Sequence, residues 1–291
     1  MSNAAEPELR LGTRGSALAR AQAQGVADAI GQAAELVIVR TTGDGEGAVA
    51  ADKRRWVDRI EDALLAGTID LAVHSAKDVP GELAPGLELF GSPARADPRD
   101  ALVGAASLAE LPAGARVGTS SVRRRSQLLA LRADIEVVAL HGNVDTRLRR
   151  LGEGELDAIV LARAGLERLG RGRGAVLEEL VPAIGQGALV IEARAGDERV
   201  ARAIAALRDS RTERELAAER ELARRLHATC ETPIGAHART LPGGLLELRA
   251  YLGRPDGSEW ATDRLEGRDP RELASELAAR LRSVGAMELA A

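Results

Sequence analysis

The sequence predicts an α/β fold: two similar α/β lobes followed by a small C-terminal α+β domain. Three observations carry this. Short apolar, β-branched runs alternate with helix-length segments, the order that builds a parallel sheet with helices on its faces. The alternation starts afresh after residue 115, with short internal matches. Gly12-Thr13-Arg14-Gly15-Ser16 echoes Gly118-Thr119-Ser120-Ser121, and Gly67-Thr68-Ile69-Asp70-Leu71 echoes Gly154-Glu155-Leu156-Asp157-Ala158. Beyond residue 210 the pattern changes to a long helix, a strand and a closing helix. A chain of 291 residues has room for two domains or three small ones.

Residues 8–13 read as the first strand, and Ser16 is a good cap for an alanine-rich helix over 17–30 stopped by Gly31. A strand over 35–41, a glycine-rich loop over 43–47 and a helix over 53–65 follow. The segment 69–73 is a buried strand, and the turn-rich stretch 80–98 leaves the first lobe. The second lobe is expected as strand 116–118, helix 122–131, strand 135–140, helix 144–151, strand 157–161 and helix 164–169. A crossing segment and strand over 182–191 lead to a charged helix over 194–211 and a long helix over 212–226. A strand over 245–252 and a helix over 270–284 close the chain. The expected domains are 1–93 with 188–208, then 97–185, then 210–291.

Chemistry concentrates where the strand over 69–73 ends. His74, Ser75, Lys77 and Asp78 follow at once, and Pro80 forbids continuation as a central strand. Open α/β sheets bind ligands beyond the carboxyl ends of their strands. Lysine occurs only at Lys53 and Lys77 among 40 basic residues, so a lysine beside Asp78 stands out in a chain that writes arginine almost everywhere. The plainer reading of Lys77 and Asp78 is a solvated loop pair. In the second lobe Arg123, Arg124 and Arg125 crowd the first turn of a helix, where the macrodipole is already positive. Cap hydroxyls, free amides and these arginines describe an anion cradle, the alternative being a solvated basic patch.

Composition excludes other classes. Aromatic residues are 1% of the chain, so base-stacking platforms for nucleic acid are missing, and a net charge of -4 argues against a general polyanion binder. Residues 1–10 carry no apolar run of the kind an export signal needs, and no stretch is long and apolar enough to span a membrane. The single Cys230 forms no internal disulfide, which suits a reducing cytoplasm. Four histidines, His74, His141, His227 and His237, lack metal-ligand spacing, so no metal is expected.

Five motifs in order resemble the porphobilinogen deaminase (hydroxymethylbilane synthase) family over essentially the whole chain. They are Ala72-Val73-His74-Ser75-Ala76-Lys77-Asp78-Val79-Pro80, Gly118-Thr119-Ser120-Ser121-Val122-Arg123-Arg124 and Gly142-Asn143-Val144-Asp145-Thr146-Arg147-Leu148. The last two are Pro182-Ala183-Ile184-Gly185-Gln186-Gly187-Ala188, and Cys230 ahead of Pro233-Ile234-Gly235. The resemblance implies lobes like those of periplasmic binding proteins and a third domain carrying the cysteine. It implies a transferase of tetrapyrrole (haem) biosynthesis that joins four porphobilinogen units head to tail with loss of ammonia and releases hydroxymethylbilane. It implies a dipyrromethane cofactor on Cys230, Asp78 as catalytic carboxylate, and a cytoplasmic monomer.

Cofactor carboxylates would fall to Lys77, Ser75, Thr119, Ser121, Arg123, Arg124 and Arg147. Substrate would fall to Arg14, Ser16, Gln22, His141, Arg168 and Gln186. The chain departs from the family at His141, where arginine is usual, in the stretch from Lys53 to Arg59, and at Ala228-Thr229, where glycines are usual. Two other readings stay open: a deaminase-like protein without activity, and a two-lobed clamp for a small dicarboxylate.

Overall fold

The computed structural model describes residues 8–30, 34–41, 57–229 and 231–290. Gly31, the 43–47 loop, residues 53–56 and Cys230 lie outside the described residues. In chain order the elements are β1 (Leu9–Thr13), α1 (Ala17–Ile30), β2 (Ala34–Ile38), α2 (Asp58–Leu65), β3 (Leu71–Ser75) and β4 (Leu87–Gly91). Next come β5 (Asp100–Val103), β6 (Arg116–Gly118), α3 (Val122–Leu131), β7 (Glu136–Val138), α4 (Val144–Gly152), β8 (Ala158–Ala162), α5 (Arg163–Arg168) and β9 (Ala175–Leu177). Then follow β10 (Leu189–Arg194), α6 (Glu198–Ile204), α7 (Ser210–Arg225), β11 (Ile234–Thr240), β12 (Leu246–Gly253), β13 (Trp260–Gly267) and α8 (Pro270–Ser283). They form two compact units, one of residues 1–95 and 188–213, the other of 96–187 and 214–291.

The first unit is a five-stranded sheet in the order β2-β1-β3-β10-β4. Leu9, Leu11, Leu71 and Val73 pack on one face against Val26 of α1 and Val200 and Ile204 of α6. Ile69 and Ala72 pack on the other against Ile60 and Leu64 of α2. Helices on both faces explain why β3 is apolar without alternation.

The second unit repeats that plan in the order β7-β6-β8-β5-β9. Val117, Leu102 and Val160 lie with Leu128 of α3 in one cluster, and Ile159 and Leu161 with Leu166 of α5 in another. Residues 214–291 add an antiparallel sheet β11-β12-β13, closed by Leu222 and Leu226 of α7 and Leu273, Leu277 and Leu281 of α8.

The internal echo has a physical content. Asp70 accepts the backbone N–H of Arg10 at 2.9 Å, and Asp157 accepts that of Arg116 at 2.6 Å. Each carboxylate just ahead of its third parallel strand thus clasps the start of the first, and each arginine returns a guanidinium to a neighbouring carbonyl, Gly67 or Glu155.

Three expectations need correction. The sheets are mixed, not parallel: β10 runs antiparallel to β3 and β4, and β5 to β8 and β9. Each is the first strand after the chain changes unit, so no crossover helix constrains its direction. The stretch 80–98 holds β4, a five-residue strand hidden among prolines and glycines. The charged helix expected over 194–211 is interrupted. Arg194 ends β10, Gly196 turns at φ 74°, and Asp197 caps a short α6 by accepting from Val200 N–H at 3.1 Å. Charge density signalled exposure there, not helix.

Candidate active site

In the first unit the site residues sit where β3 ends. Its side chains are buried up to His74, and a single 3-10 turn, Ala76–Asp78, follows at once. The Ala76 N–H donates to Ala188 O at 3.0 Å, tying this turn to the strand segment entering β10. Lys77 and Asp78 are half-buried, at the boundary of the sheet and solvent. Ser75 points to the α1 side, where Gln22 donates to its hydroxyl at 2.9 Å. Gln22 is buried, so the structure gives it a hold on Ser75 and no open face. Ser16 accepts the Ala19 N–H at 3.2 Å and caps α1, with Arg14 half-buried two residues earlier. His74 points to the opposite face. Its Nε2 lies 2.9 Å from Oε2 of Glu192, both buried.

In the second unit the site residues gather at the start of α3. Thr119 is buried and accepts the Ser121 N–H at 3.2 Å, and Ser121 accepts the Arg124 N–H at 3.4 Å. Arg123 and Arg124, expected as an open cradle, are almost fully buried and share the carboxylate of Asp100 at 2.7 Å each. Gln186 joins the cluster, donating to Asp100 at 3.0 Å and to Pro98 O at 2.7 Å. Burial pushes the Asp100 carboxyl up, and the two arginine charges outweigh it, so it titrates well below the usual carboxylate range. The anion that these cations need is therefore supplied in part from within. Sequence reading missed Asp100, which lies just past the turn-rich stretch 80–98 in a segment given no element. The signal was a charge directly preceding the apolar run Ala101-Leu102-Val103.

The other candidates of this unit are more open. Arg147, half-buried on α4, donates from Nε to Gly142 O at 2.8 Å. His141 is exposed just ahead of it. Arg168, at the end of α5, donates to Gly187 O at 2.8 Å, and burial lowers the pKa of its guanidinium. Neighbouring arginines are committed elsewhere, Arg149 to Glu153 and Arg163 to Asp97 and Glu167. The C-terminal sheet grips α3 directly. Ser126 lies 2.7 Å from the Tyr251 hydroxyl and donates to Arg254 O at 2.6 Å. Buried Glu219 of α7 accepts the N–H groups of Gly185 at 2.7 Å and Ala238 at 2.8 Å, holding the segment ahead of Gln186 to β11.

Each unit taken by itself is a mixed α/β scaffold of the enzyme-like kind that binds small ligands beyond its strand ends, one with a carboxylate at a strand end, the other with buried arginines at a helix start. Comparison with known proteins makes this particular. Residues 9–202 match the family described as porphobilinogen deaminase, dipyromethane cofactor binding domain, and residues 214–283 match its C-terminal domain. The porphobilinogen deaminase of Rubrobacter xylanophilus is 47% identical over 290 residues, 96% of this chain and 95% of that protein. That of a Roseiflexus species is 49% identical over 265 residues, 86% and 87% of the two chains. Among solved structures, the second substrate binding domain of a putative amino acid ABC transporter from Streptococcus pneumoniae has a TM-score of 0.44 at 14% identity, covering 69% of this chain and 92% of that one. The chain belongs to the porphobilinogen deaminase family and is a transferase.

The residues present suit the group named by the matching domain, whose pyrrole rings carry acetate and propionate carboxylates. Around the start of α3, Ser120 Oγ and Arg123 Nε are buried without a hydrogen-bond partner among the described residues. Donors left over in a cationic, helix-start environment are what a carboxylate would satisfy.

Proposed function

We propose that this chain joins four porphobilinogen units head to tail, with loss of one ammonia each, and releases linear hydroxymethylbilane in tetrapyrrole biosynthesis. The observation that supports it best is Asp78 on the turn directly after β3, beside Lys77, in a chain matching the family over both its domains. Asp78 gives its proton to the departing amine, and its charge then steadies the cation left on the substrate. Ser75, set by Gln22, and Lys77 hold carboxylate groups near that turn. Arg14 and Ser16 receive the substrate's acetate and propionate at the start of α1, where free amides add to the pull.

Thr119, Ser121, Arg123, Arg124 and Arg147 hold the carboxylates of a dipyrromethane attached covalently through Cys230. When bound, that group supplies the free pyrrole position to which the first porphobilinogen is joined. Gln186 acts through Arg124 and Asp100 instead of meeting substrate directly, while His141 and Arg168 take part in binding the lengthening product. Residues 210–291 are read as a third domain that carries the cysteine. A monomer in a reducing cytoplasm fits the single cysteine.

Intact mass and turnover test this reading together. The purified chain is expected to weigh more than its sequence by one dipyrromethane and to colour with an aldehyde reagent for pyrroles. Cys230→Ala is expected to fold, to carry no added mass and to form no product. Unchanged turnover in that variant would remove the attachment assignment.

A further inference from the structure

Asp100 opens β5 with 0% exposure, beneath Arg123 and Arg124 at 3% and 5%. Arg123 donates from Nη1 to Asp100 Oδ2 at 2.7 Å and to Val181 O at 2.8 Å. Arg124 donates from Nε to Asp100 Oδ1 at 2.8 Å, from Nη1 to Val160 O at 2.9 Å and from Nη2 to Gln186 Oε1 at 3.4 Å. Among the described residues no second carboxylate pairs with either arginine; their other partners are neutral carbonyl oxygens. Two cations and one anion leave a net charge of +1 in the interior, where an uncompensated charge is costly. The first turn of α3 adds its own positive field. Arg123 Nε, buried, meets no acceptor among the described residues.

We propose that Asp100 is a positioning residue that sets this cluster to the capacity of one ligand carboxylate. It neutralises one guanidinium, holds both in fixed orientation, and leaves one positive charge beside the open Arg123 Nε donor. With no acidic group there, two buried cations would demand anions whatever their shape. With a second acidic group the cluster would be closed. This rests on the reading that the cluster serves the dipyrromethane carboxylates, and it assigns to Asp100 the charge count of that site.

The test uses the full chain carrying Cys230→Ala, which on that reading takes up no pyrrole group. Because the guanidiniums are buried, the anion is supplied during refolding from urea, as sodium succinate or as sodium chloride of equal ionic strength. Refolding yield and melting temperature are then read. Asp100→Asn, added to this background, is expected to refold poorly in chloride and to recover in succinate. Its half-saturating succinate concentration should lie about ten-fold or more below that of the background, the effect of one unopposed charge in a poorly solvated site.

Asp100→Glu keeps the charge and should follow the background. A residue that only packs would give the reverse order: the longer glutamate would be tolerated worse, and the two salts would act alike. Equal succinate dependence of Asp100→Asn and the background, or failure of Asp100→Asn to refold in either salt, overturns the proposal. The intact mass of the Cys230→Ala chain answers separately for the cofactor reading. A retained pyrrole mass would remove the attachment without bearing on Asp100.

Discussion

Asp78 and Asp100 show how two residues of one type divide between chemistry and support. Asp78 is half-buried on a turn one residue past a lysine, and on the proposed function it exchanges a proton with the substrate. Asp100 is sealed between two arginines and stays ionised throughout the neutral range. Asp78→Asn is nearly isosteric, so it should leave stability and the added mass unchanged while turnover falls by about 10²-fold or more, the usual loss for a group that stabilises developing charge. A rate within a few-fold of the parent would remove Asp78 from the chemistry. Asp78 stands out in the sequence because Lys77 and the strand-ending Pro80 flank it. Asp100 meets Arg123 across 23 residues and Gln22 meets Ser75 across 53, pairings that topology creates and local pattern does not announce.

Elements bounded by caps were legible almost to the residue. The helices at Ala17–Ile30 and Val122–Leu131 begin after Ser16 and Ser121, as their cap chemistry requires. The strands β4, β5 and β9 were not, since each is three to five residues long and is made a strand by the partner beside it. The start of α4 gives a test at this scale. Asn143 accepts the Thr146 N–H at 2.9 Å, and Gly142 holds φ at 107° with Thr146 Cγ2 2.9 Å from where a Cβ would stand. Asn143→Ala should cost about 1 kcal/mol in urea denaturation. Gly142→Ala should cost about 1–3 kcal/mol, because it adds a left-handed strain to a close contact. It should also raise KM, since the Gly142 carbonyl seats Arg147. Equal stability of the two variants would mean that the backbone relaxes there freely.

On the scale of the whole molecule, each unit is pinned by carboxylates that arginines hold ionised. Burial would raise the Asp70 carboxyl, but hydrogen bonds from the side chain and backbone of Arg10, with the field of Arg199, bring it below its ordinary value. The Asp100 carboxyl is held lower still by Arg123 and Arg124. A carboxyl whose folded pKa lies below its unfolded value binds its proton more readily in the unfolded chain. Its contribution is therefore complete above the unfolded value, ~3.9, and is lost as pH falls through the folded one. The urea midpoint should accordingly be flat from about pH 8 to 5 and fall steeply below about pH 4. Asp70→Asn should cost about 1.5–3 kcal/mol at pH 7, the usual loss for hydrogen bonds to a charged group, yet lose less than the parent on acidification. If parent and variant decline in parallel between pH 5 and 3, the acid sensitivity arises outside the Arg10–Asp70 clasp, and the repeated aspartates ahead of β3 and β8 hold their sheets by shape and backbone hydrogen bonds alone.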